Sequence, residues 1–157
     1  MKGDPGVIGL LNQLLSGELT AVHQYMLHAR ICENWGYQRL FKKIHEESRE
    51  ELAHADHLIE RIIYLEGAPD VQRLGNVNPG KSVDEQFRFD LALETGVVAA
   101  LNKGIEQCRR LGDNGSAELL EDLLEDTEEH ANWLESQLTL IEQVGLQQYL
   151  AEQLKDS

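Results

Sequence analysis

Proline, aromatic side chains and positive charge are all scarce in this chain, and each shortage removes a class of answers. Three prolines in 157 residues and 6% aromatics, beside abundant Leu, Glu, Ala and Gln, favour helix over sheet, because unbranched side chains lose little rotamer freedom in a helix. Lys and Arg number 14 against 28 Asp and Glu, a formal net charge of -14. Nucleic acid and anionic membranes would be repelled, which leaves cations as the natural counterparts, although the same charge also serves solubility. The only two cysteines, Cys32 and Cys108, stand apart in apolar helical context without CxxC spacing. They read as small buried hydrophobes in a reducing compartment. No run approaches a membrane span and the opening MKGDPGVIGL has no signal-peptide apolar core, which points to the cytoplasm.

The length suits one compact domain over residues 1–157, expected to be all-α. Asp4 followed by Pro5 is a helix start, and that helix runs to about Gly36. A second runs from about Gln38 to Gly67, where a glycine can take the left-handed stop. GAPDVQRLGNVNPGK then reads as an extended linker. Ser82 with Glu85 forms a capping box opening a third helix that ends at Gly112, and Ser116 caps a fourth ending near Gly145. LQQYLAEQL makes a short fifth. The first and last pairs of long helices are joined by short turns, so each pair is antiparallel, while the linker can span roughly 50 Å when extended. The expected fold is a four-helix bundle in up-down-down-up order, with a long crossover between helices two and three.

Heptad spacing picks out a buried seam on each helix. The first carries Glu18 and Tyr25 among Leu11, Leu15 and Ala29; the second carries Glu47, Glu51 and His54 between Ile44 and Leu58. The third carries Asp90 and Glu94 between Phe87 and Leu101, and the fourth Thr127 and His130 between Leu123 and Leu134. Counted from the turns, Glu18, Glu51, His54, Glu94 and His130 fall at one height, roughly 25 Å down the bundle. Glu51 with His54 alone would be an ordinary helix pair or a satisfied core histidine. Several carboxylates buried together would cost several kcal/mol each unless protonated or compensated, and a multivalent cation removes that cost. One Glu on each of two helices, a Glu-x-x-His on a third and a His on the fourth come close to the dinuclear carboxylate pattern of ferritin-like bundles. Mixed oxygen and imidazole donors suit iron or manganese, with zinc as a competitor.

The stretches MKGDPGVIGLLNQLLSGELTAVHQYMLHAR, ESREELAHADHLIERIIYLEGAP, DLALE and EEHANWLESQLTLIEQVGLQQYL resemble bacterioferritin over essentially the whole chain. The resemblance implies a single ferritin-like di-iron domain and a hollow cage of two dozen subunits. Such a cage takes in Fe(II), oxidises it with O2 at an intrasubunit di-iron site, and stores a ferric mineral. The resemblance also implies a haem b between paired subunits and a small ferredoxin as redox partner. Five of the six di-iron ligand positions are filled: Glu18 and Glu94 as terminal carboxylates, Glu51 as a bridge, His54 and His130 as one imidazole per metal. Tyr25 lies beside them as an electron or hydrogen-bond donor or a packed core residue.

Two positions depart from that pattern. Thr127 stands where the second bridging glutamate belongs, so the second metal should be weak or absent and the ferroxidase activity of the chain alone is in question. Among nearby acids, Glu121, Glu128, Glu135 and Glu142 form one solvent stripe flanked by Glu125 and Glu129, whereas Asp126 lies on an apolar flank from which a slight rotation would turn it inward. A solvent or subunit-contact role is the alternative for Asp126. Leu52 occupies the haem axial methionine position and has no donor atom, so haem binding would need a different subunit; Met26 and His23 read as packing residues. His28, His45 and His57 are expected at the surface or in contacts, and Glu46 and Glu50 face either a cage interior or plain solvent. The alternative function is a catalytically impaired structural subunit that co-assembles, in a homo- or hetero-oligomer, with a complete paralogous chain.

Overall fold

A computed structural model describes residues 1–155, so the last two residues of the expected domain lie outside the described part. Its elements are α1 (Pro5–Asn34), α2 (Gln38–Tyr64), α3 (Val83–Arg110), α4 (Asn114–Val144) and α5 (Leu146–Gln153), with no strand among the described residues. Helix α1 packs on α2 and α3, and α4 packs on α3, α2 and α5. Hydrogen bonds and ion pairs fix the directions. From the Gly3–Leu65 contact through Glu18–His54 to Cys32–Tyr37, and from Leu10 beside Gly104 through Gly17 beside Val97 to His28–Asp90, the residue numbers run in opposite senses, so α2 and α3 each run antiparallel to α1 and therefore parallel to each other. This is the up-down-down-up order expected from the long crossover.

Helix ends follow local chemistry, with two corrections to the sequence reading. The Asp4 carboxylate accepts from the Gly6 N–H at 2.7 Å, ahead of Pro5 at the first helical position. At Gly36 (φ 91°) and Gly112 (φ 77°) the chain takes the left-handed conformation that closes α1 and α3. At the end of α2 that role falls to Glu66 (φ 63°), not Gly67. Gly67 follows it, with its N–H bonded to Ile62 O at 2.9 Å. Gly67 is needed for a different reason: a Cβ there would lie 2.7 Å from Ile8 Cγ2. The left-handed glutamate has a partner, the terminal ammonium of Met1 at 3.3 Å. The second correction concerns α4, which is capped by Asp113 and not Ser116. The Asp113 carboxylate accepts from the Ser116 N–H (3.0 Å) and hydroxyl (2.7 Å) and also from Arg61 (2.9 Å), so Ser116 is the donor and sits inside the first turn.

The crossover is held along α1 by side chains one face apart. Asn12 binds Ala68 O and the Asp70 N–H, the Thr20 hydroxyl accepts from Gly75, Gln24 Oε1 accepts from Asn78, and His28 Nε2 accepts from the Gly80 N–H at 3.0 Å. His28 is thus fully buried and not at the surface, with its Nδ1 2.9 Å from Asp90. His45 is half-buried against Phe41, while His57 is exposed. Cys32 and Cys108 are buried and free.

Two apolar clusters fill the bundle. One gathers Leu11, Leu15, Leu58, Ile62, Leu101 and Leu120; the other gathers Tyr25, Ala29, Leu40, Ile44, Phe87 and Leu134. The acids and histidines of the seams fall between these clusters along every long helix. Among the described residues no helix is long and apolar enough to cross a membrane. Replacing His28 by Ala would strip Gly80 N–H of its acceptor and Asp90 of a partner, at about 1–3 kcal/mol for each group left unpaired. A lower melting temperature and faster hydrogen exchange at Gly80 are expected; unchanged protection there would show that the crossover does not depend on this contact.

Candidate metal centre

Each long helix delivers its polar seam residues to the middle of the bundle because the neighbouring seam positions are apolar and pack. Glu18 is fully buried, and Glu51, His54, Glu94 and His130 are 3%, 4%, 1% and 6% exposed. Ligand atoms of Glu18, Glu51 and His54 all lie within 4.8 Å of one another, as do those of Glu51, Glu94 and His130. All five residues picked out from the sequence therefore meet, and Glu51 belongs to both groups.

The contacts divide by ring nitrogen. His54 Nδ1 faces inward, 3.3 Å from Glu18 Oε2 and 3.4 Å from Glu51 Oε2. His54 Nε2 faces outward, 3.0 Å from Asp126 Oδ2. His130 Nδ1 lies 3.5 Å from Glu47 Oε2 and 3.6 Å from Glu94 Oε1, too long for good hydrogen bonds. Three buried atoms here have no hydrogen-bond partner: Glu18 Oε1, Glu94 Oε2 and His130 Nδ1. Orphaned polar atoms in a closed core are unusual, and three converging on one space mark it as built for something besides packing. The Tyr25 hydroxyl donates to Glu94 Oε1, and its ring meets that of His130 edge-on at 5.1 Å.

Charge in so enclosed a space shifts the titration of Glu51, His54, Glu94 and His130. Burial, with Glu18 alongside, pushes the Glu51 carboxyl up to about 8. Burial also raises Glu94, to about 7, against the pull of His130. Burial disfavours a charged ring at His54, but Glu18 and Glu51 outweigh it and hold the imidazole at about 11. His130 moves in the same direction, with Glu94 prevailing over burial. A metal ion bound among these groups would displace protons from them.

Thr127 is buried, 1% exposed, and its hydroxyl donates back to Leu123 O at 2.7 Å. It offers the chamber no carboxylate, and its one proton is committed to its own helix. Asp126 reaches His54, but from the side of the ring opposite Glu18 and Glu51, and its side chain is 42% exposed. Glu50, half-buried, joins Asp126 and His54 in a third group of donor atoms within 4.8 Å. Glu46, Glu121, Glu125, Glu128, Glu129, Glu135 and Glu142 are exposed. The residue that the sequence reading left without a role is Glu47: it is 6% exposed and tied to Lys43 at 2.9 Å. The signal for it was present, since it lies on the α2 seam one turn before Glu51.

Comparison with known proteins bears on the fold and the family. The family model of the ferritin-like domain matches residues 8–144. The chain is 45% identical over 152 residues to a bacterioferritin of Mycobacterium leprae (strain TN), covering 97% of this chain and 96% of that one. It is 47% identical over 155 residues to a bacterial ferritin of Pseudomonas aeruginosa, covering 98% and 100%. With a bacterial ferritin of Synechocystis sp. the identity is 45% over 155 residues, covering 98% and 99%. With four long helices in ferritin-like order and full-length relatives at this identity, the chain belongs to the ferritin-like family and, within it, to the bacterioferritins.

Proposed function

We propose that this chain is an iron-storage cage subunit that admits Fe(II), oxidises it with O2 at the chamber between the four helices, and passes ferric iron to a stored mineral. The observation that carries the reading is the buried set Glu18, Glu51, His54, Glu94 and His130, with three donor atoms left unpartnered. Ionised groups so deeply buried are held at a cost of several kcal/mol each unless a cation compensates them. In this reading Glu18 and His54 hold one Fe(II), Glu94 and His130 hold the other, and Glu51 lies between them as a bridge. The bound iron supplies the electrons that reduce O2. The chain's own residues set the geometry: the Tyr25 hydroxyl fixes Glu94 by hydrogen bonding to Oε1, and Asp126 holds His54 by Nε2 so that Nδ1 points into the chamber.

Assembly into a cage of two dozen chains in the cytoplasm follows the family resemblance. The exposed apolar side chains Met26, Leu27, Leu52, Ile63 and Tyr64 are surface that assembly would cover. Haem b does not fit this chain on its own. Leu52, 54% exposed beside Leu19 and Ile59, has no donor atom for iron, and Met26 and His23 lie on a different helix, exposed. A haem would need its ligand from another subunit, and a ferredoxin partner is proposed only on the family resemblance.

A second reading has specific support. Thr127, with its hydroxyl bonded to Leu123, and Leu52 are each a missing ligand, and together they suit a structural subunit assembled with a complete paralogue. Stoichiometric Fe(II) added to the homomer separates the two. For a ferroxidase, oxygen consumption and ferric absorbance should show a rapid saturable phase, slowed at least about tenfold in Glu51→Ala, since ligand loss should exceed the 10- to 100-fold effects of lost outer partners. Oxidation no faster than the iron-only control would leave the structural reading standing. For haem, Leu52→Met is expected to give the homomer a low-spin Soret band after reconstitution that the unaltered chain lacks. Equal haem uptake by both would refute the assignment of that position.

A further inference from the structure

We propose that Glu47, anchored by Lys43, supplies the carboxylate that Thr127 lacks, as a terminal oxygen ligand to the divalent cation held by Glu51, Glu94 and His130. The inference builds on the reading of the chamber as a metal site and concerns how its second half is completed.

Position and burial come first. Glu47 stands one helical turn before Glu51 on α2 and is 6% exposed, an unusual setting for a carboxylate without a full set of partners. Lys43 binds only Oε1, at 2.9 Å. Oε2 is directed to His130 Nδ1, 3.5 Å away. That separation is too long for a good hydrogen bond, yet it is one that two ligands of one cation keep: donor atoms about 2.1 Å from a metal at near-tetrahedral or octahedral angles sit roughly 3.0–3.5 Å apart. Glu47 is outside the Glu51, Glu94 and His130 group of donor atoms within 4.8 Å of one another and borders it through His130, so its carboxylate has to turn inward to share their cation. Glu94 Oε1 keeps a similar 3.6 Å from the same nitrogen.

The destination is marked independently. His130 Nδ1 and Glu94 Oε2 are buried and have no hydrogen-bond partner, so polar atoms already point into the space that Glu47 borders. The anchor is itself braced: the Lys43 ammonium lies 5.2 Å from the Trp133 ring centre, and that ring stacks on His130 at 6.2 Å. Lys43, Glu47, His130 and Trp133 thus close a loop of contacts beside the second half of the chamber. Lys43 also offsets the charge of Glu47 while the site is empty of metal.

The other substitutes face the wrong way. Asp126 meets His54 at Nε2, opposite the inward Nδ1, so it orients the ring without reaching a cation bound to Nδ1. The Thr127 hydroxyl is spent on Leu123 O. With Glu47 in place the two cations would share a single carboxylate bridge, Glu51, instead of two.

Anaerobic Co(II) titration followed by visible d–d absorbance tests this without turnover. The unaltered protein should bind two Co(II) per chain, about one for each group of donors. Glu47→Gln should weaken the second equivalent at least about tenfold and leave the first unchanged. Thr127→Glu added to Glu47→Gln should restore it. An unchanged isotherm in Glu47→Gln, or loss of the second equivalent in Asp126→Asn instead, would overturn the proposal. Should Glu47→Gln misfold, anomalous diffraction at the cobalt edge on the unaltered protein decides. Cobalt about 2.0–2.2 Å from the Glu47 carboxylate is expected; cobalt at His130 without Glu47 refutes the assignment. A single Co(II) per chain would overturn this inference alone, whereas none would overturn the metal-site reading as well.

Discussion

Three glutamates and two histidines held at mid-height in a helix bundle cannot all keep their charge without compensation, because taking an ion out of water costs several kcal/mol even after relaxation. The rest of the molecule is arranged around that cost. Apolar clusters above and below the polar layer supply the burial that keeps the helices together despite it, since hydrophobic area is the dominant favourable term in folding. Each cluster draws on all four long helices, so the layer is enclosed from both ends, and burial with the neighbouring charges raises Glu51 to about 8 and His54 to about 11.

A second buried polar group gives the contrast that sets the first apart. Gln24, His28 and Asp90 are as deeply buried as the chamber residues, yet they are joined to one another and to the crossover backbone at Asn78 and Gly80. That network spends its hydrogen-bonding capacity on structure: it fastens a linker with no helix of its own to α1 and α3. The chamber, one to two turns away on the same helices, leaves Glu18 Oε1, Glu94 Oε2 and His130 Nδ1 unspent. Burial alone would not separate the two; satisfaction does.

The same distinction explains what could be read from the sequence. Heptad spacing located Glu18, Glu51, His54, Glu94 and His130, because a seam is a local property and the equal distances from the turns gave their common height. It also found Glu47, but a seam position does not say what the side chain meets, and Lys43 and His130 give it meaning only once α2 and α4 are packed. His28 was misjudged for a related reason: its partners Asp90 and Gly80 lie 62 and 52 residues away, and no local pattern announces them. The capping errors are smaller in scale. The stretch Asp113-Asn114-Gly115-Ser116 offers several competent caps, and the choice of Asp113 depends on Arg61 from α2. At Glu66-Gly67 the left-handed turn went to the glutamate because the glycine was required for contact with Ile8.

Thr127 can be weighed against the electrostatics of the layer it belongs to. A glutamate there would add another buried carboxylate to a space where Glu51 and Glu94 are already pushed upward by burial, raising the cost of folding without metal. A threonine bonded to its own helix removes that charge and leaves no orphaned atom of its own. The chamber is then easier to hold without a cation and harder to fill with two. Glu47 sits where both demands can be met, because Lys43 neutralises it on one oxygen while the other still faces His130. Lys43 can keep its oxygen when a cation takes the other, an arrangement that a second buried acid lacking such a partner would not have.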